Sequence, residues 1–120
     1  SFAAEMGGWQ FYTKPGAIWL VLFDANDVAG FCSIIPEKTH LFFDNFYIRK
    51  EWRGRGLSNI LHDARIEFAK KTGREIRVIS DNPIQIKKYL SQGFVADGMR
   101  GRYSKFKYHA PNRNQNARID

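Results

Sequence analysis

The sequence predicts a mixed α/β (α+β) fold. It has a mostly antiparallel sheet, a central parallel strand pair and flanking helices. Three observations carry this. Apolar runs of strand length occupy Ile18–Phe23, Val28–Ile35 and Leu41–Ile48. The first two are joined by Asp24–Asp27, which is turn chemistry, so they form an antiparallel hairpin. A helical pattern separates the third run from the next one, Ile76–Ile79. Such a strand–helix–strand unit makes its two strands parallel, with a right-handed crossover.

Taken in order, residues 1–16 are rich in Gly and aromatic residues and break at Pro15-Gly16. Trp9–Thr13 is a candidate short strand. The hairpin of Ile18–Phe23 and Val28–Ile35 is apolar throughout and reads as buried on both faces, with Gly30 a weak point or bulge. Pro36 ends it. In Leu41–Ile48, strict alternation places Phe42, Asp44, Phe46 and Ile48 on one side and Leu41, Phe43, Asn45 and Tyr47 on the other. Asp44 is then a carboxylate in an aromatic row.

Leu57–Thr72 is the strongest helix. Leu57, Ile60, Leu61, Ala64 and Phe68 follow helical spacing, and Gly73 stops it. After the strand Ile76–Ile79, Asp81 or Asn82 can cap a second helix, and Pro83 suits its first turn. Gly93 closes that helix. Phe94–Ala96 and Tyr103–Tyr108 read as two strands joined by a loop, Asp97–Arg102. Residues 1–108 thus make one domain, with 109–120 a polar tail.

The chain has 120 residues, 43% of them hydrophobic, enough for a core. No apolar run approaches a membrane span of about 20 residues. The opening SFAAEMGG lacks a basic stretch followed by an apolar one, so no signal peptide is expected. Cys32 is the single cysteine and cannot form an internal disulfide; a buried thiol in a reducing, cytoplasmic setting follows. The charge is uneven. Residues 1–44 hold Lys14 and Lys38 against Glu5, Asp24, Asp27, Glu37 and Asp44, a net of −3. With +7 overall, residues 45–120 carry +10. That half calls for a polyanionic partner: a nucleotide-like cofactor, a nucleic acid, or both.

The stretch Ile48–Ser58, IRKEWRGRGLS, lies within it. A strand, a basic Gly-containing loop and a helix N-terminus together suit a phosphate. Glycines let the backbone approach the ligand, and the first N–H groups of the helix point at it.

Arg53-Gly54-Arg55-Gly56-Leu57-Ser58 resembles the coenzyme A pyrophosphate loop of the GNAT N-acetyltransferases, Arg/Gln-x-x-Gly-x-Gly/Ala. Asp44–Ile48 is similar to the strand that leads into that loop. Asn82, Tyr89 seven positions on, and then Gly93-Phe94 resemble a second signature of the family. Together the motifs span about residues 18–108. Ser58 stands where the family has Gly or Ala, and Gln85 where it often has Ala. The family usually has a strand and two helices before the first hairpin, and about 17 residues precede Ile18 here, so the resemblance implies an N-terminal part (1–17) that is either reduced or truncated.

The resemblance implies an acetyl-CoA-dependent N-acetyltransferase that moves the acetyl group directly to an amine within a ternary complex. Backbone N–H groups of Arg53, Gly54, Arg55, Gly56, Leu57 and Ser58 would cradle the pyrophosphate, and Arg53 and Arg55 would pair with phosphates. Phe46 and Ile48 would run beside the pantetheine arm. A backbone N–H near Ile48, freed by a bulge, would face the oxyanion. Tyr89 would be the general acid that protonates the thiolate. Asn82 is read as a pantetheine contact, a helix cap, or both. Asp44 is the candidate base or amine-binding group, because aromatic neighbours would desolvate it. A structural Asp44 is the alternative, with Glu37 and Asp81 as further candidates.

His62 reads as a residue of the polar side of the long helix, with His40 and His109 at strand ends. No spacing suggests a metal site. Two other readings stand beside the enzyme. One is a nucleic-acid-associated member that acetylates a charged tRNA. The other is a non-catalytic CoA-binding or assembly protein. The acceptor, a small molecule or peptide amine, is open, as is homodimerisation; a membrane partner is not expected.

Overall fold

The computed structural model describes residues 14–110. The candidate strand Trp9–Thr13 lies outside them, as does the polar tail beyond Ala110. Six strands form one sheet: β1 (Ile18–Asp24), β2 (Asp27–Pro36), β3 (Leu41–Ile48), β4 (Ile76–Ser80), β5 (Val95–Arg100) and β6 (Tyr103–Tyr108). Their spatial order is β1-β2-β3-β4-β6-β5, and every neighbouring pair is antiparallel except β3–β4. A short 3-10 turn, Lys50–Trp52, leads from β3 towards helix α1 (Leu57–Lys70); helix α2 (Pro83–Ser91) joins β4 to β5.

The β1–β2 hairpin forms where its turn residues place it, but it is not buried on both faces. β2 is buried along almost its whole length, whereas β1 leaves Val21 and Phe23 exposed. The difference is position. Among the described residues β1 pairs on one side only, and β2 lies between two strands. Gly30 has a packing reason: a Cβ there would come 2.6 Å from Ile48 Cδ1 and 2.7 Å from the Tyr47 carbonyl oxygen. Phe94 precedes β5 rather than belonging to it. The expected loop Asp97–Arg102 is mostly strand, interrupted by a register shift between Ala96 and Met99, with the turn at Gly101-Arg102.

Two further expectations are corrected. Helix α1 has the right period and the wrong phase. Its buried residues are Leu61, His62, Arg65, Ile66 and Ala69, while Ile60 and Phe68 are exposed. A stripe drawn through apolar residues cannot locate a buried face that carries a histidine and an arginine. The alternation of β3 also breaks. Ser33 pairs with Asp44 and Cys32 with Phe46, so Asn45 is the extra residue of a β-bulge, at φ 33°. Beyond it, parity inverts. Phe46 stacks on His62 of α1, and Ile48 packs with Cys32 and Leu61.

The main core gathers Ile34, Leu41, Phe43, Ile66, Ile76, Val78, Tyr89, Phe94 and Phe106. It locks both helices to the centre of the sheet, where the parallel pair lies.

Candidate functional site

Strands β3 and β4 pair only at Leu41–Ile76 and Phe42–Arg77. Past that point they part, and each continues towards its C-terminal end. A cleft of about 300 Å³ opens there, walled by Asp44 and Asn45 from β3, Val78 and Ile79 from β4, and Tyr89 from α2. A larger cleft of about 990 Å³ runs from Phe46 and Ile48 along the loop and the first turns of both helices. Phe46 and Gln85 line both clefts. Ligands of open α/β sheets bind at the carboxyl ends of strands for this reason: backbone ends and helix starts converge there.

The two helix N-termini differ. Asn82 caps α2, its Oδ1 accepting from Ile84 N at 2.9 Å and Gln85 N at 3.1 Å. Gly56, at the cap position before α1, has no side chain to cap the helix, and the first turn of α1 holds no acidic residue. Its leading N–H groups are therefore served by solvent or by a ligand. Gly54 and Gly56 adopt φ values of 77° and 76°, a region open to glycine at little cost, and no atom lies within 4 Å of a Cβ built on either. The helix dipole adds positive potential at the same place. This geometry suits an anion, and the 990 Å³ cleft beside it suits a long phosphorylated ligand.

Of the residues singled out from the sequence, Phe46, Ile48, Arg53, Gly54, Gly56, Leu57, Ser58 and Asn82 line the larger cleft together. Arg55 is exposed and is not among its lining residues. Arg53 has a structural duty as well. Its Nε donates to the Ile48 carbonyl oxygen at 2.8 Å, and its guanidinium lies 5.3 Å from the Tyr47 ring centroid.

Tyr89 lines the smaller cleft, is 2% exposed, and accepts a hydrogen bond from Arg65 Nη2 at 3.0 Å. Burial pushes its phenol up, and Arg65 opposes that shift. Asp44 reaches the same cleft but is exposed. The aromatic row expected to desolvate it does not form, because the bulge carries Phe46 and Ile48 to the α1 side. The bulge itself was expected near Ile48. The register there is regular, Gly30 with Ile48 and Phe31 with Tyr47, and the interruption lies at Asn45.

Two residues of α1 were missed. His62 is 3% exposed rather than on a polar face. It stacks on Phe46 with ring centroids 3.9 Å apart, meets the Tyr89 ring edge-on at 5.3 Å, and lines the larger cleft. Burial first, and then Arg65 and Lys88, push its imidazole down to about 3. Arg65 is 1% exposed. Their i, i+3 spacing, continued by Ile66 and Ala69, was the available signal, and reading polarity as exposure hid it. Among the described residues no group of three His, Cys, Asp or Glu is placed to hold a metal ion.

A family model described as the Acetyltransferase (GNAT) family matches residues 3–94. No curated protein matches the sequence. Solved structures share the fold at low identity. The PaiA N-acetyltransferase of Thermoplasma acidophilum, in complex with coenzyme A, aligns with a TM-score of 0.67 at 18% identity over 78% of this chain and 60% of that one. An acetyltransferase of Thermus thermophilus gives 0.63 at 20% identity over 78% and 64%. A Bacillus anthracis protein solved with acetyl coenzyme A gives 0.63 at 20% over 80% and 64%. The matched region thus spans less than two thirds of each of these three chains.

Proposed function

The chain belongs to the acetyltransferase (GNAT) family, and from that premise we propose that it is an acetyl-CoA-dependent N-acetyltransferase acting by direct transfer within a ternary complex. One observation carries the reading. The uncapped, glycine-led start of α1 faces a long cleft that ends where the parallel strands part. Acetyl-CoA supplies a thioester whose acetyl carbon is open to attack by an amine, with the CoA thiol as the leaving group.

The protein's residues divide the remaining work. The N–H groups from Gly54 to Ser58 bind the pyrophosphate, and Arg53 and Arg55 add charge around it. Phe46, at the throat between the two clefts, and Ile48, in the larger cleft, flank the pantetheine arm. The polar side chain of Asn82 lies at the same wall. The bulge at Asn45 interrupts the β2–β3 ladder beside this throat, so a backbone N–H of Asn45 or Phe46 is the donor for the developing oxyanion. Tyr89 holds the proton for the departing sulfur. A guanidinium can only donate, so the bond from Arg65 leaves the phenol's own hydrogen directed elsewhere. The acceptor amine enters from the smaller cleft, where Asp44 attracts its ammonium form and takes up a proton directly or through water. Cys32 is fully buried and burial raises its thiol, which argues against an acyl-cysteine route. The cytoplasm, where acetyl-CoA and a reduced Cys32 coexist, is the compartment this reading implies.

Calorimetric titration of the full chain with acetyl-CoA, followed by a thiol-release assay over small amines and peptides, tests the proposal. Saturable binding and amine-dependent release of the CoA thiol are expected. Failure to bind acetyl-CoA at any accessible concentration overturns it.

A further inference from the structure

Arg65 is a buried cation that no carboxylate pairs with among the described residues. Its guanidinium lies under the sheet, 4.2 Å from the Phe43 ring centroid and 5.2 Å from that of Phe46. Nη1 donates to the carbonyl oxygens of Asp44 at 2.9 Å and Ser33 at 3.3 Å. Nη2 donates to the Tyr89 hydroxyl at 3.0 Å. Nε is buried with no partner. Burying a charge without a counter-charge is expensive, and an apolar side chain of similar length fills such a position at lower cost. Packing alone therefore does not account for an arginine here.

Its partners do. Ser33 and Asp44 face each other across the β2–β3 ladder at the bulge, so Arg65 serves two carbonyls at the point where the ladder is interrupted. The same planar group reaches across to a hydroxyl on α2. A guanidinium has the fixed fork needed to hold three oxygens from three elements in one frame; a lysine does not.

We propose that Arg65 is a positioning residue for the transfer reaction, holding the Asp44–Asn45 bulge and the Tyr89 hydroxyl in register and stabilising the phenolate that forms when Tyr89 gives up its proton. This rests on the transferase reading above. In that step the amine nitrogen has bonded the acetyl carbon, the C–S bond breaks with its electron pair going to sulfur, the Tyr89 O–H bond breaks and an S–H bond forms on the departing CoA sulfur. The negative charge left on the Tyr89 oxygen faces Nη2 of Arg65. The proton shed by the amine nitrogen passes through Asp44 or water to solvent, and solvent reprotonates Tyr89, so protons balance over the cycle. The interior setting strengthens the interaction, because little water competes for the charge.

The test uses the full chain and four variants: Arg65→Met, Arg65→Lys, Tyr89→Phe and the double variant Arg65→Met/Tyr89→Phe. Three quantities are measured: acetyl-CoA affinity, the pH dependence of kcat, and the Tyr89 13Cζ resonance, assigned by its loss in Tyr89→Phe. Arg65→Met should lower kcat by about tenfold or more, the low end of what a general acid contributes. Affinity for acetyl-CoA should change by less than about threefold, because Arg65 lines the smaller cleft and not the larger one along the glycine loop. The Tyr89 resonance should shift at neutral pH, and the alkaline limb of kcat should move upward in pH. Arg65→Lys should recover part of the loss through its charge. In the Tyr89→Phe background the Arg65→Met change should cost markedly less.

Equal kcat in Arg65→Met and wild type, or an undiminished Arg65→Met effect without Tyr89, overturns the proposal. Should Arg65→Met fail to fold, Arg65→Lys decides through the same resonance and pH limb, and an unmoved pair overturns it. Wild-type protein that does not bind acetyl-CoA sinks the transferase reading instead. The Tyr89 resonance then still decides the Arg65 link, and an unmoved signal refutes it.

Discussion

His62 lies flat on Phe46, the planes 14° apart and the ring centroids separated by 3.9 Å, at the wall of the larger cleft. An imidazolium would be poorly placed there. Burial, Arg65 and Lys88 all disfavour its charged form, and Asp63 opposes them only weakly. The side chain therefore acts as a neutral aromatic surface.

That state has a pH signature. The folded value of about 3 is below the ordinary 6.5, so the unfolded chain binds the extra proton first as pH falls. The contribution is intact above pH 6.5 and is lost progressively towards pH 3, at about 1.4 kcal/mol per pH unit at most. The melting temperature should drop on acidification through that window. His62→Phe should flatten the drop, as differential scanning calorimetry between pH 7 and pH 4 would reveal. An unchanged slope in that variant assigns the acid sensitivity to other groups.

Asn82 caps α2, and a pair of substitutions separates that role from the proposed contact with the pantetheine arm. Asn82→Ala removes the cap on α2 and should cost about 1 kcal/mol in urea unfolding. Asn82→Asp retains an acceptor at the same place, so stability should stay near wild type. Its new charge faces the cleft proposed to take the anionic coenzyme, so acetyl-CoA affinity should fall. Wild-type affinity in Asn82→Asp would restrict Asn82 to capping.

Gly56→Ala tests the cradle. The residue sits at φ 76° with open space around a Cβ, so the cost in the free protein is conformational, about 1 kcal/mol. A methyl group on the face that meets phosphate should weaken acetyl-CoA binding by about tenfold or more, since backbone N–H approach is what the glycine permits. Calorimetry that finds unaltered affinity places the pyrophosphate elsewhere.

Gly30→Ala tests the sheet rather than the site. Its methyl group would meet Ile48 Cδ1 and the Tyr47 carbonyl oxygen inside contact distance. The side chain can rotate away and the carbonyl cannot, so the strands must separate. A loss of about 1–3 kcal/mol is expected from overpacking, read from the urea midpoint. The throat between β3 and α1 would shift as well, so acetyl-CoA affinity should also fall.

Much of the architecture is legible in local chemistry. The apolar runs, the turn at Asp24–Asp27 and the Gly-led start of α1 each act over a few residues, and each appears where those residues place it. The phase of α1 failed through the assumption that polar means exposed. His62 and Arg65 occupy the buried face of α1 while Ile60 and Phe68 face outward, so the helical stripe was drawn along the wrong side. The bulge at Asn45 failed to show for a different reason. Its extra residue is defined by pairing with β2, and no pattern within Leu41–Ile48 reveals it.

The sequence by itself determined the order of strands and helices, the family, and the glycine-led turn at the start of α1, because these depend on neighbours along the chain. Only the tertiary structure decided what surrounds Tyr89 and which face Asp44 occupies. An arginine from α1, two carbonyls from β2 and β3 and a phenol from α2 meet within 3.3 Å of one guanidinium. Distant segments supply those partners, and burial sets their energies.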